Sequence, residues 1–290
     1  MANGTKTGFE LGGVPETLLW NLYYRALEAR RPNAVLRDPK AVELVDAIDY
    51  PFEERFGVGH PRQAQGQALR VLCFDQEIRR FLSVHPEGTV IALGEGLETQ
   101  FWRVDNGRVR WLTVDLPETV EVRRRLLPES PRQRTLACSA LDERWMEEVD
   151  TSRGVLLTAQ GLLMYLRPSE VHGLVAACAR RFVGGSLLFD AVPRWFSART
   201  MRGEIRTSGS YRPPPMPWGI DVDELGDIQA AHPNLVEVRE LRLAPGRGLF
   251  WGYLAPLMNV VPVVHNKRLT VLVGGQLQTV VLVRFGSSRR

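Results

Sequence analysis

The stretch VIALGEGLETQFWRVDNGRVRWLTVD, Val90 to Asp115, places Gly94 and Gly96 at the end of one apolar run and an acid at the end of the next. Glycine lets a chain turn sharply and bring its backbone close to a ligand. A carboxylate at the following strand end can accept both hydroxyls of a ribose. Gly94, Gly96 and Asp115 therefore suit an adenosine ligand, and Glu95 and Leu116 belong to the same cofactor-binding set. A dinucleotide asks for a third small residue soon after the second glycine. Here Thr99 stands nearby instead, and Glu95 and Glu98 put negative charge where phosphates would lie. A sulfonium ligand carries no phosphate and tolerates those acids, so the electrostatics favour S-adenosylmethionine over a nicotinamide dinucleotide.

Two later stretches extend the set. CSALDERW places Leu141 and Asp142 past a third apolar run, an apolar face for adenine and an acceptor for its amino group. TAQGLLMYL leaves a fourth run through Gln160, Gly161 and Tyr165. A strand exit there is where groups touching a methionine end or an acceptor belong, and Tyr165 can aim its hydroxyl at the acceptor.

These residues need strands to hold them. TVIALG, VRWLTVD, RTLACSAL, GVLLTAQG and GSLLFDAV are short, β-rich and apolar on both faces, as in a parallel sheet covered on both sides. Helical patterns separate most of them: LPETVEVRRRLLP has proline near its start, and PSEVHGLVAACARRFVGG ends on a glycine pair. Alternation of this kind predicts an α/β, doubly wound, mostly parallel sheet with right-handed crossovers. NLVEVREL, RLTVLVG and TVVLVRF would complete it, with an antiparallel late strand. Residues 1–82 read as a helical cap, with apolar spacing at Leu18, Leu19, Leu22, Tyr23, Ala26 and Leu27 and a helix start at Asp38-Pro39. Residues 83–192 read as the cofactor-binding core, 193–219 as a lid-like insertion without clear periodicity, and 220–290 as the last strands, all of one domain.

Composition bounds the function. With 290 residues, 44% hydrophobic, the chain is long enough for one large α/β core. The net charge of +4 comes from scattered arginines rather than one basic face, which argues against nucleic acid. No apolar signal core and no membrane-length apolar run occur, so a cytoplasmic protein without a membrane partner is expected. Cys73, Cys138 and Cys178 stand far apart, outside any metal spacing, and read as reduced thiols; no metal is expected.

The stretches RALEARRPNAVLRDPKA, LGEGLETQFWRVD, VDLPETVEVRRRLLP, SALDERW, GLLMYL and LLFDAVP together resemble the leucine carboxyl methyltransferase-like family, in particular its bacterial branch in polyketide and other secondary metabolism. The likeness runs from about Thr17 to Phe250. It implies a class I, Rossmann-like methyltransferase fold with a helical lid, S-adenosylmethionine as cofactor and a small-molecule acceptor. It maps Gly94 and Gly96 onto the cofactor turn, Asp115 onto the ribose acid, and Leu141 and Asp142 onto the adenine pair. It sets Arg70, in QALRVLCFD, against the cofactor carboxylate. Three positions depart from the family pattern. Glu98-Thr99-Gln100 stands where the family has Asp-Thr-Arg, and Gln160 where it has a Glu that pairs with the cofactor's ammonium. Gln160 can still accept a hydrogen bond but brings no charge, so Gln160→Glu is expected to tighten cofactor binding if the position faces the ammonium.

Methyl transfer from a sulfonium depends mainly on positioning. A carboxylate acceptor is already ionised at neutral pH, whereas a phenol or alcohol needs a base. No histidine falls at a strand exit beside the motifs, which slightly favours a carboxylic acid acceptor. Tyr23 and Tyr24, on the cap helix, and Tyr211, Trp218 and Trp251, with Phe250, are the candidate acceptor-binding aromatics. Tyr165 and Gln160 are the candidate catalytic residues. Two functions stay open: a small-molecule O-methyltransferase, or a cofactor-binding scaffold or altered enzyme on the same fold, which Gln100 and Gln160 motivate. The sequence does not fix the oligomeric state.

Overall fold

A computed structural model describes residues 7–8, 14–128, 130–230, 232–258 and 278–286. Seven strands form its main sheet: β1 Thr89–Leu93, β2 Arg110–Asp115, β3 Gln133–Ala137, β4 Val155–Ala159, β5 Ser186–Ala191, β6 Leu235–Leu241 and β7 Thr279–Phe285. Their order across the sheet is β3-β2-β1-β4-β5-β7-β6. All neighbours are parallel except β7, which runs antiparallel to both β5 and β6. This is the doubly wound arrangement of the class I methyltransferase fold. The order reverses between β1 and β4, and a crevice opens there at the carboxyl ends of the strands. The expected strand RLTVLVG lies outside the described residues.

The continuous apolar character of the strands has a direct packing cause. Ile91 and Leu93 of β1 face one side, with Leu157, Leu187 and Phe189; helix α5 (Pro168–Arg181) covers them with Leu174, Val175 and Cys178. Val90 and Ala92 face the other side, with Trp111, Leu156 and Leu188, under Phe74 and Ile78 of helix α4 (Pro61–Val84). Alternate residues thus enter different cores, and both faces must be apolar.

The cap consists of α1 (Val14–Ala29), α2 (Pro39–Ala47), α3 (Phe52–Phe56) and α4. Asp38 caps α2, its Oδ1 accepting the Ala41 N–H at 3.1 Å. Leu19, Leu22, Tyr23 and Ala26 of α1 are buried, as their spacing predicts. Residues 193–219 differ from the sequence reading in one respect: they open with a regular helix, α6 (Arg194–Met201). The remainder lies irregularly against the cap, with Tyr211 N–H donating to Arg55 O at 2.8 Å and Ser208 Oγ to Phe56 O at 3.0 Å. No described helix is long and apolar enough to cross a membrane.

Candidate functional site

The glycine turn follows β1. Gly94 and Gly96 have φ of 60° and 55°, a region that side chains other than glycine seldom adopt. A Cβ would also collide: at Gly94 with Leu162 Cδ1 at 2.8 Å, and at Gly96 with Leu18 Cδ2 at 2.4 Å. Asp115, at the end of β2, braces this turn. Its Oδ2 accepts the Gly96 N–H at 2.7 Å and its Oδ1 the Leu116 N–H at 2.8 Å. Burial pushes its carboxyl up from the ordinary range, and these two N–H groups oppose that shift. Each oxygen keeps acceptor capacity for a further donor. The cleft that Gly94 and Asp115 border also takes in Leu18, Leu116, Leu141 and Gln160, and has a volume of about 150 Å³.

The two acids of the turn do different work from the phosphate-repelling role their sequence positions imply. Glu95 is buried and its Oε2 lies 3.1 Å from Arg123 Nη2, with Thr113 and Trp111 also donating to it. Its Oε2 is committed to the protein, while Glu95 lines the cleft and its Oε1 has no hydrogen-bond partner among the described residues. Glu98 meets Arg25 at 3.0 Å and Arg103 at 2.8 Å. Burial works against its charge, but the two guanidiniums outweigh it and hold the carboxyl down at about 2. Glu98 Oε2 also accepts Gln160 Nε2 at 2.9 Å. A Glu at position 160 would set its carboxylate against Glu98, so the simple gain expected from Gln160→Glu does not follow.

Beyond Gln160 the cleft opens into a larger cavity of about 530 Å³; Thr17, Asn21, Arg70, Gly161 and Tyr165 line both. Arg70, on α4, is buried and pairs with Asp190 Oδ2 at 2.5 Å, while Asp190 Oδ1 holds the Gly161 N–H at 2.5 Å. The Arg70 Nε and the Gln160 Oε1 are buried and have no hydrogen-bond partner among the described residues. A donor and an acceptor left unsatisfied on one cleft wall match the carboxylate and ammonium of an amino-acid end. Together with the glycine turn and Asp115, they fit S-adenosylmethionine.

Tyr211 and Trp251, with Phe250, line the larger cavity. Tyr211 OH and Thr17 Oγ1 share a hydrogen bond of 2.9 Å across the cap and the insertion. Gly66 makes room for Trp251, since a Cβ there would meet its Cζ2 at 2.6 Å. Tyr165 borders both cavities; burial pushes its phenol well above the usual value, with Tyr211 adding to the shift.

Other expected positions fall elsewhere. Tyr23 is a core residue, stacked on Phe52 at 5.5 Å with its hydroxyl donating to Gly57 O, and Tyr24 is buried in the same cluster; neither lines the cavity. Trp218 packs on Phe189 in the sheet core. Asp142 starts the 3₁₀ turn Glu143–Glu148 and pairs with Arg144; the cleft takes Ser139, Ala140 and Leu141 but not Asp142. Sequence reasoning missed Asn21, Arg25 and Asp190, and with them Gln67, which lines the larger cavity. Asp190 carried a signal, an acid inside the apolar run LLFDAV; the other three sit on polar helix positions that look solvated.

A family model described as leucine carboxyl methyltransferase matches residues 19–179. The chain is 37% identical over 191 residues to the tetracenomycin polyketide synthesis O-methyltransferase TcmP of Streptomyces glaucescens, covering 64% of this chain and 68% of that protein. It is 30% identical over 204 residues to the S-adenosyl-L-methionine-dependent methyltransferase dpfgK of Gibberella zeae, covering 62% and 67% respectively. A solved O-methyltransferase family protein from Burkholderia thailandensis aligns with 95% of this chain and 71% of its own at 17% identity and a TM-score of 0.42.

Proposed function

Because the chain belongs to the leucine carboxyl methyltransferase family and is an S-adenosylmethionine-dependent methyltransferase, we propose that it methylates a carboxylate oxygen of a small molecule in secondary metabolism. The observation that carries this reading is the charge of the acceptor cavity. Its lining contains Arg62, Arg70, Arg206 and His60, and no Asp or Glu among the described residues. Among the described residues, only Arg70 of these arginines is paired with an acid. Such a cavity attracts an anion and penalises none. Its aromatic wall, from Trp20, Tyr211, Phe250 and Trp251, suits a flat ring system on which the carboxylate is carried.

A bound cofactor supplies an activated methyl group, so that a C–O bond forms as the C–S bond breaks, and an ionised acceptor needs no base. The residues at hand agree with that economy. Tyr165 stays protonated at neutral pH, because burial raises its phenol, and so serves as a donor that orients the acceptor. His60 starts α4 with its Nδ1 accepting the Arg62 N–H at 3.3 Å, and is engaged as a cap. In this reading Asp115 holds the ribose, Leu116 and Leu141 flank the adenine, and Arg70 with Gln160 holds the methionine end. Ligand sites usually span roughly 300–1,000 Å³, more than the cofactor cleft of about 150 Å³. Leu18, which fills the space over Gly96, therefore withdraws on binding, and α1 with the 193–219 insertion acts as the lid.

The similarity to TcmP supports a polyketide-like acceptor. The test is incubation with S-adenosylmethionine and paired aromatic acids and phenols, followed by mass spectrometry and mild alkali. A 14-dalton gain on the acids that alkali reverses is the expected ester. A gain confined to phenols and stable to alkali would refute the carboxylate reading, and cofactor binding with no methylated product from either class would favour the scaffold alternative.

A further inference from the structure

We propose that Glu98 and Gln160 act as a coupled pair, in which Glu98 is a positioning residue that locks the Gln160 amide with its carbonyl oxygen presented to a cationic N–H donor of the cofactor's amino-acid end. The proposal rests on reading the glycine-turn cleft as the cofactor site. Four donors already surround the Glu98 carboxylate. Arg25 Nη1 at 3.0 Å and Gln160 Nε2 at 2.9 Å reach Oε2; Arg103 Nη1 at 2.8 Å and the Thr99 N–H at 2.9 Å reach Oε1. The Gln160 and Thr99 contacts are hydrogen bonds and the two guanidinium contacts are ion pairs, so both oxygens of Glu98 are engaged within the protein. Its most direct effect on the cofactor's amino-acid end is to fix the group it orients.

That group is the amide. Only a donor can face Glu98 Oε2, so the nitrogen of Gln160 must, and a flipped amide would bring two oxygens together at 2.9 Å. The amide oxygen is thereby turned away from Glu98. It is buried on the cleft wall with no partner among the described residues, and a buried acceptor left unpaired is costly until a donor arrives. The neighbouring negative charge polarises the amide and strengthens the bond it can accept.

The same geometry couples the length of the side chain at 98 to the residue type at 160. Glu98 reaches Gln160 by virtue of its length; an Asp would draw the carboxylate back by one C–C bond, about 1.5 Å. A Glu at 160 opposite Glu98 would pair two carboxylates that cannot both ionise at that distance. A long acid at 98 thus requires an amide at 160, and a short acid would permit an acid there. Gln100 is engaged nearby: its Nε2 donates to Asp75 Oδ1 at 3.0 Å, and Arg103 holds Asp75, Asp38 and Glu98 together.

The test measures S-adenosylhomocysteine affinity by calorimetry, and the melting temperature of the free protein, for the wild type, Gln160→Leu, Gln160→Glu, Glu98→Asp and the double variant Glu98→Asp/Gln160→Glu. Gln160→Leu is expected to weaken binding about tenfold or more, the loss of one bond to a charged group. Gln160→Glu should lower the melting temperature, more at pH 8 than at pH 5, because the facing acids share a proton at low pH. Glu98→Asp should weaken binding by freeing the amide, and in that background Gln160→Glu should cost little stability and restore affinity. Unchanged affinity in Gln160→Leu, or strictly additive effects in the double variant, would overturn the coupled pair while leaving the cofactor site standing. A wild type that bound no S-adenosylhomocysteine would overturn the site itself, and the pair with it. If Glu98→Asp does not fold, the Gln160→Leu affinity and the pH dependence of Gln160→Glu still decide.

Discussion

Asp115→Ala should weaken S-adenosylhomocysteine binding and destabilise the free protein at once, by separable amounts. In the free protein, Asp115 accepts the N–H groups of Gly96 at 2.7 Å and Leu116 at 2.8 Å, and the side chain is buried. Truncation leaves the buried Gly96 N–H without its acceptor, a cost of about 1–3 kcal/mol. The offset is that burial disfavours the Asp115 carboxylate and raises its pKa, so removing the charge recovers part of that cost. A net stability loss of roughly 1–2 kcal/mol follows. Binding loses separately the bonds from the ribose hydroxyls to a charged acceptor, about 1.5–3 kcal/mol, or roughly 10- to 150-fold in Kd. Asp115→Asn sharpens the distinction. Its single oxygen can serve one of the two backbone N–H groups, while its NH₂ opposes the other, so it should be nearly as unstable as the alanine variant. Denaturant titration gives the first quantity and calorimetry the second. A stability loss with unchanged affinity would refute the ribose role and leave Asp115 as a brace of the glycine turn.

Arg62→Ala and Arg206→Ala each remove an exposed cation from the acceptor cavity. Each should raise KM for a carboxylate acceptor up to about fivefold, with kcat unchanged and the effect shrinking at high salt, as screened pairs worth up to ~1 kcal/mol do; an equal rise for a neutral acceptor would refute the steering. Tyr165→Phe should lower kcat about tenfold, the worth of one hydrogen bond, without altering the shape of the pH–rate profile; loss of a limb of that profile would show that Tyr165 is a base. Glu98 predicts an acid limb of stability. Its carboxyl is depressed in the fold to about 2 from 4.5, so its contribution is complete above pH 4.5 and is lost as the pH falls towards 2. Glu98→Gln should flatten unfolding curves over that window, by on the order of 3 kcal/mol, and an unchanged acid limb would contradict the Arg25 and Arg103 pairing.

What the sequence by itself determined follows from local rules. Strand and helix positions were legible because a sheet covered on both faces demands unbroken apolar runs, and helices lying on it demand spacing of three and four. The glycine turn was legible because positive φ at Gly94 and Gly96 favours glycine over other residues, and the placing of Asp115 beside it because that residue ends the adjacent strand. The short helix at Arg194–Met201 carries little sequence signal because its apolar positions follow no single stripe.

Tertiary structure decided which polar atoms are spent and which remain free. Glu95 and Glu98 read alike in sequence, two acids flanking a glycine. The fold turns one onto Arg123, distant in the chain, and the other onto Arg25, Arg103 and Gln160. Tyr23 and Trp218 were aromatic candidates until packing consumed them in cores, while Tyr211 and Trp251 came from separate segments to the same cavity wall. Asp142 lost its place to the turn it starts, and Asp190 gained one by meeting Arg70 across 120 residues of chain. Hydrogen-bond capacity is finite and buried charges must be paired, so a side chain's role depends on partners that only the folded chain brings within 3 Å or so. Residue type and spacing name the chemistry available to this chain; its long-range pairings select the atoms left to perform it.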